Sequence, residues 1–147
     1  MTTSEMALLD SNVLVYAHQA LSTFHHEARG LLAQGLEGKI PVCVCPQILL
    51  EFFAVITNPR RVTDPVSPSK AMTEIEKYLR AEAIEIIHPT NEAFDCFLNI
   101  MKQYLPKGAE IFDIQLVATM LSNGVTRLYT FNLDHFRRFK EITLLTP

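Results

Sequence analysis

LLDSNVLVYA, residues 8–17, joins a short apolar run to a segment of helical period. The apolar run predicts a buried strand that ends at Asp10, and Ser11 or Asn12 can cap the helix that follows it. A strand followed directly by a helix is the repeating unit of α/β proteins. Such proteins place their ligand crevice at the carboxyl ends of parallel strands, which is where Asp10 is expected to lie.

The same alternation of short apolar runs and helical segments continues along the chain in both directions from this stretch. Strands are predicted at about residues 6–9, 40–45, 84–88, 127–130 and 143–145. Helices are predicted at about residues 13–21, 23–36, 46–57, 69–81, 91–104 and 112–123. Residues 58–68 contain three prolines and are predicted to form a loop. We therefore expect one α/β domain that spans residues 1–147.

Composition excludes several classes of protein. The chain has 147 residues, of which 48% are hydrophobic and 20% charged, so disorder, collagen and a disulfide scaffold are excluded. The net charge of −3 lacks the basic excess that is typical of many nucleic-acid binders. Cys43, Cys45 and Cys96 are expected to be reduced, and no uncharged apolar stretch reaches the roughly 18 residues of a membrane span. We expect a cytoplasmic protein without a membrane-spanning segment.

Four carboxylates stand at positions where apolar or ligand-facing side chains are expected. Glu51 lies on the apolar stripe of its predicted helix, and the neighbours of Asp113 at i+3, i+4 and i+7 are all apolar. Asp10 and Asp134 each follow a predicted strand. A buried, unpaired carboxylate is costly, so it must be protonated, paired with a cation or bound to a metal.

Metal binding is the alternative that the neighbouring sequence favours. Asp10, Glu51 and Asp113 have no Lys or Arg within five residues on either side, although a distant segment could still supply one. Hard divalent cations take carboxylate oxygens, and Mg²⁺ needs only a few protein ligands. Acids that converge on one crevice would form a site for Mg²⁺ or Mn²⁺.

Four stretches together resemble the PIN domain, especially the VapC-like toxin ribonucleases of toxin–antitoxin pairs. They are LLDSNVLVYA (8–17), PQILLEFFAVITNPRR (46–61), FDIQLVATMLSNGVTRLYTFN (112–132) and DHFRRF (134–139). The resemblance implies a three-layer α/β/α fold with a short central parallel sheet of four to five strands. It also implies an endoribonuclease that hydrolyses RNA phosphodiesters with Mg²⁺ or Mn²⁺, forms a homodimer and binds a cognate antitoxin.

The family pattern makes Asp10, Glu51 and Asp113 catalytic acids, with Asp10 and Asp113 as metal ligands. The fourth position of the pattern is irregular in this sequence. Asn132 fits one slot of the pattern as a neutral ligand or as a residue that positions water, and His135 stands where an acid is usual. Asp134 is either a shifted fourth catalytic acid or a surface residue. The side chains predicted to support the site are those of Ser11, Asn12, Thr130 and Asn132.

The dense basic clusters are Arg60 with Arg61 in the proline-rich loop, and Arg137 and Arg138 with Lys140 near the C-terminus. As phosphate contacts they would position RNA without reading its sequence. The alternative is solvated surface charge.

Two other classes of function remain open at this point. LLDSNVLV also resembles the start of haloacid-dehalogenase-type phosphatases, in which an aspartate attacks phosphate and a second aspartate acts as the acid. Asn12 occupies the position of that acid and cannot donate a proton in its place. The other alternative is a nucleic-acid- or protein-binding module that is catalytically weak or inactive.

Overall fold

The computed structural model describes residues 5–147, which contain one five-stranded parallel sheet. The strands are β1 (Ala7–Leu9), β2 (Val42–Val44), β3 (Ile84–Ile86), β4 (Arg127–Tyr129) and β5 (Thr143–Leu145), in the spatial order β3-β2-β1-β4-β5. The helices are α1 (Ser11–His18), α2 (His25–Leu36), α3 (Pro46–Ile56), α4 (Pro68–Arg80), α5 (Ala93–Tyr104), α6 (Glu110–Ser122) and α7 (Leu133–Phe136).

The central strands are apolar because both faces of the sheet are covered. Every residue of β1 and β2 is buried. Leu8 of β1 lies opposite Cys43 of β2 on one side and Leu128 of β4 on the other. Continuous apolar runs of this kind are typical of parallel sheets between two helical layers. The predicted three-layer α/β/α fold with a parallel sheet of four to five strands is confirmed, and the sheet has five.

Most helices begin close to the positions that the sequence predicted. α3 begins at Pro46, where the missing backbone N–H of proline carries no penalty. α1 ends at His18, earlier than predicted, because Gln19 adopts an extended backbone. α6 begins at Glu110, two residues before the predicted start. The short helix α7 was not predicted, since four residues are too few to show a helical period.

The sheet gathers three segments at its carboxyl edge. Asp10 follows β1, Pro46 opens α3 shortly after β2, and Thr130 follows β4. The backbone N–H of Asp10 donates to the Tyr129 carbonyl at 3.0 Å, which joins the ends of β1 and β4. Because neighbouring parallel strands end at the same edge, the residues that follow them lie close together.

Cys43 and Cys45 are buried, and these two and Cys96 are free thiols. Within residues 5–147, no helix is long and apolar enough to cross a membrane.

Candidate active site

Asp10 is a buried carboxylate, 6% exposed, at the end of β1. Its Oδ1 accepts the backbone N–H of Ser11 at 2.8 Å, and its Oδ2 accepts the Thr130 hydroxyl at 2.7 Å. The amide of Asn12 also donates to Oδ2, at 3.2 Å. Burial raises the pKa of Asp10 and the charge of Asp113 adds to this, while the hydrogen bonds from Thr130 and Ser11 oppose it. Asp10 is therefore held in one orientation at a place where burial disfavours its negative charge.

Thr130 is the centre of a small polar network around Asp10. The side chain is fully buried, and its Oγ1 accepts the Asn12 amide at 3.2 Å and the backbone N–H of Asn132 at 2.9 Å. Asn12 Oδ1 in turn accepts the backbone N–H of Phe131 at 3.2 Å. Three of the predicted supporting residues, Ser11, Asn12 and Thr130, thus contact Asp10 directly. The fourth, Asn132, contacts Thr130 through its backbone N–H.

Glu51 is half-buried on α3, and its carboxyl group interacts with Asp10 and Ser11. Gln47, one turn earlier on the helix, donates its side-chain amide to Glu51 Oε1 at 3.1 Å. Burial raises the pKa of Glu51, and the charge of Asp10 raises it further, whereas hydrogen bonds from Gln47 and Ser11 lower it. Glu51 and Asp10 are therefore electrostatically coupled.

Asp113 completes the acid cluster from the first turn of α6. Its side chain is 26% exposed, and its Oδ2 lies 3.9 Å from His135 Nδ1 and 3.8 Å from Arg138 Nη2. Burial raises the pKa of Asp113, the charges of His135 and Arg138 lower it, and the charge of Glu51 raises it. Each of the three acids thus raises the pKa of another acid in the cluster.

The donor atoms of this cluster fit a hard divalent cation. Asp10, Glu51 and Asp113 offer carboxylate oxygens, the ligands that Mg²⁺ and Mn²⁺ prefer. In the part of the chain that the structure describes, no three His, Cys, Asp or Glu side chains are already close enough to hold a metal ion. The negative charges of the three carboxylates repel one another, and a cation between them would relieve that repulsion.

Asn132, Asp134 and His135 are the candidates for the irregular fourth position of the family pattern, and their side chains lie in different surroundings. The Asp134 side chain is 85% exposed and pairs with Arg137 at 3.1 Å, so the structure does not bring it to the acid cluster. The adjacent His135 faces Asp113 instead. Successive residues of a helix point about 100° apart, so Asp134 and His135 of α7 cannot both face Asp113. Asn132 contacts Thr130 through its backbone N–H.

Of the four predicted RNA-contacting arginines, only Arg138 touches the acid cluster in the described residues. Besides Asp113, it binds Glu110 at 3.2 Å, and its guanidinium stacks over the Phe139 ring at 4.7 Å from the centroid. Arg60, Arg61 and Arg137 are exposed on the surface. Gln47 was not among the predicted site residues, although its position four residues before Glu51 was a readable signal.

A short parallel sheet with acids gathered at its carboxyl edge defines the class of protein, and the comparison with known families agrees. The PIN domain family model matches residues 7–142, and the chain belongs to the PIN domain family. The predicted family is therefore confirmed.

Similar proteins show which group of PIN domain proteins this chain resembles. The chain is 33% identical to Ribonuclease VapC43 of Mycobacterium tuberculosis over 143 residues, which cover 97% of this chain and 95% of the relative. It is 27% identical to Ribonuclease VapC48 of the same organism over 138 residues, with 94% of each protein covered. The chain thus falls among the VapC ribonucleases.

Solved structures support the fold. The crystal structure of Mycobacterium tuberculosis VapC20 superposes with a TM-score of 0.69 at 14% identity, covering 97% of this chain and 99% of that chain. A DNA-bound VapBC structure from Salmonella typhimurium gives a TM-score of 0.67 at 16% identity, covering 97% and 98%.

Proposed function

We propose that this protein is a metal-dependent endoribonuclease and the toxin of a toxin–antitoxin pair. The observation that carries the proposal is the convergence of Asp10, Glu51 and Asp113 at one edge of the sheet, each with a pKa raised by burial. Its relatives at 33% identity over 97% of the chain are named VapC ribonucleases, which supports RNA as the substrate.

Asp10 and Asp113 would hold Mg²⁺ or Mn²⁺, with Glu51 as the third acid of the site. When bound, the cation would supply positive charge for the phosphodiester. It would also lower the pKa of water, so that hydroxide is available near neutral pH. Thr130 and the Ser11 N–H keep the Asp10 carboxylate oriented and favour its charged form. No nucleophile from the protein is required.

Arg138 is the best placed residue for a contact with an RNA phosphate. Its guanidinium already lies 3.8 Å from Asp113 Oδ2, and the guanidinium group can bind phosphate through two parallel hydrogen bonds. We assign the exposed Arg60, Arg61 and Arg137 to weaker backbone contacts, which position RNA without specifying its sequence.

The partners follow from the toxin assignment. VapBC complexes among the structural neighbours, including those from Salmonella typhimurium and Rickettsia felis, support a cognate antitoxin. The homodimer is proposed from the family resemblance alone. A toxin that cleaves RNA acts where RNA is translated, and we place this one in the cytoplasm.

The phosphatase alternative is disfavoured by the surroundings of Asp10. At the position of the required acid, Asn12 donates its amide to Asp10 Oδ2 at 3.2 Å. An amide has no proton to give to a leaving group at neutral pH.

Cleavage of a mixed pool of structured RNAs by the purified protein tests the proposal. Products should form with Mg²⁺ or Mn²⁺ and be absent with EDTA or with the Asp113→Asn variant. An aryl phosphate assayed in parallel should not turn over. RNA binding without cleavage under all metal conditions would contradict the proposal and favour a binding module, whereas turnover of the aryl phosphate would favour a phosphatase.

A further inference from the structure

Gln47 connects the two helices that carry Glu51 and Asp113. Its Nε2 donates to Glu51 Oε1 at 3.1 Å and to the backbone carbonyl of Phe112 at 2.9 Å. Glu51 lies four residues further along α3, on the same helix face as Gln47. Phe112 directly precedes Asp113 in the first turn of α6. One amide group therefore contacts one acid of the cluster and the residue beside another.

This contact crosses an open space between the helices. Residues of both helices line a cavity of about 540 Å³, among them Gln47 and Glu51 of α3 and Phe112 and Gln115 of α6. Because the helices are separated here, the distance between their acids depends on side chains that reach across. Gln47 is such a side chain.

We propose that Gln47 is a positioning residue for the acid cluster. It holds the Glu51 carboxylate and the start of α6, and with it Asp113, in the relative placement that a divalent cation requires. This inference rests on the proposed metal-dependent function. It adds a residue to the site that touches neither substrate nor metal.

The orientation of the Gln47 amide is decided by its two partners. Both the Glu51 carboxylate and the Phe112 carbonyl are acceptors, so only the NH₂ group can face them. Oε1 then points elsewhere, and it is buried without a hydrogen-bond partner within the described residues. A buried carbonyl without a partner opposes folding, so glutamine is a poor choice for packing alone. A glutamine at residue 47 is explained if its NH₂ group is needed to position Glu51 and Asp113.

The proposal predicts that replacing Gln47 weakens metal binding without lowering the stability of the metal-free fold. Gln47→Met keeps the length of the side chain but removes both the donor and the unpaired carbonyl. If the Gln47 hydrogen bonds only stabilise the fold, their removal should lower the melting temperature of the metal-free protein. A positioning residue would leave that temperature nearly unchanged and weaken metal binding, as the loss of residues that orient metal ligands commonly does.

The test is calorimetric titration of Mn²⁺ into metal-free wild type, Gln47→Met and Gln115→Met. Gln115 is the matched control, because it lines the same cavity from α6. We expect Gln47→Met to bind Mn²⁺ about 10-fold more weakly. Its melting temperature without metal should stay within about 4 °C of wild type. Gln115→Met should match wild type in both measurements, and excess Mn²⁺ should restore RNA cleavage by Gln47→Met.

Equal Mn²⁺ affinity in wild type and Gln47→Met would overturn the role of Gln47 while leaving the proposed function standing. A wild-type protein that binds no Mn²⁺ would overturn both. If Gln47→Met does not fold, Gln47→Asn, which keeps an amide that is one methylene too short, should fold and show the same loss of affinity. If Gln47→Asn also fails to fold, Gln47 is needed for folding itself, and the proposal is overturned.

Discussion

Replacing Asp113 by Asn removes one charge from the acid cluster and leaves the size of the side chain unchanged. The substitution weakens the pairing of residue 113 with His135 at 3.9 Å and with Arg138 at 3.8 Å, from a side chain that is 26% exposed. Partly exposed ion pairs of this kind contribute about 0–1 kcal/mol each. Burial already raises the pKa of Asp113, so its charge is disfavoured where it stands. We expect the free energy of unfolding to change by less than about 1 kcal/mol, which shifts the melting temperature by at most about 2–4 °C.

The effect of the same substitution on catalysis should be large. A metal ion at the reacting phosphate supplies several kcal/mol of charge stabilisation. A loss of about 4 kcal/mol corresponds to a roughly 10³-fold lower rate. Single-turnover cleavage of end-labelled RNA with Mg²⁺ measures this, with Asp95→Asn as the control, because Asp95 is an exposed aspartate in the first turn of α5. Cleavage by Asp113→Asn within about 10-fold of wild type, in a folded protein, would contradict the role of Asp113 as a metal ligand.

Three further predictions concern the surroundings of the site. Asp134→Asn should cleave RNA at the wild-type rate, because its side chain is 85% exposed and pairs with Arg137; a large loss in the same assay would place Asp134 in the site. Thr130→Val should lower the free energy of unfolding by about 2 kcal/mol, since it removes the hydroxyl that binds Asp10 and two other groups, and a melting temperature equal to wild type in calorimetry would contradict this. In EDTA, the stability of Asp113→Asn relative to wild type should rise as the pH increases from about 4 to 7.5. A carboxyl whose folded pKa is raised above its ordinary value of 3.8 stabilises the fold only while protonated, and that contribution is lost as the pH rises through the folded pKa. Urea midpoints at both pH values measure it, and a constant or falling difference would count against the raised pKa.

The fold was predictable because its signals are local. Buried parallel strands appear as short apolar runs, and the turns between them contain proline and glycine. The predicted strand at residues 84–88 and the observed β3 (Ile84–Ile86) differ only at the C-terminal end. The early end of α1 depends on the backbone conformation of Gln19, which no periodicity reveals.

The candidate site was predictable in part. Asp10, Glu51 and Asp113 stood out because each interrupts or ends an apolar pattern, and the structure places them near enough for their charges to act on one another. The sequence could not show whether the Asp134 side chain points toward Asp113 or toward solvent. In a helix as short as α7, a shift of one residue turns a side chain by about 100°, which exchanges Asp134 for His135 at Asp113.

A metal-dependent site at the carboxyl edge of the sheet is best tested by comparing metal binding with cleavage in one protein. Wild-type protein stripped of metal is titrated with Mn²⁺ in a calorimeter, and RNA cleavage rates are measured across the same Mn²⁺ concentrations. We expect no cleavage without metal, a half-maximal rate at the concentration that half-fills the site, and loss of both signals in Asp10→Asn. Cleavage that persists in EDTA, or an Asp10→Asn variant that binds Mn²⁺ and cleaves RNA as wild type does, would contradict a metal-dependent site at Asp10.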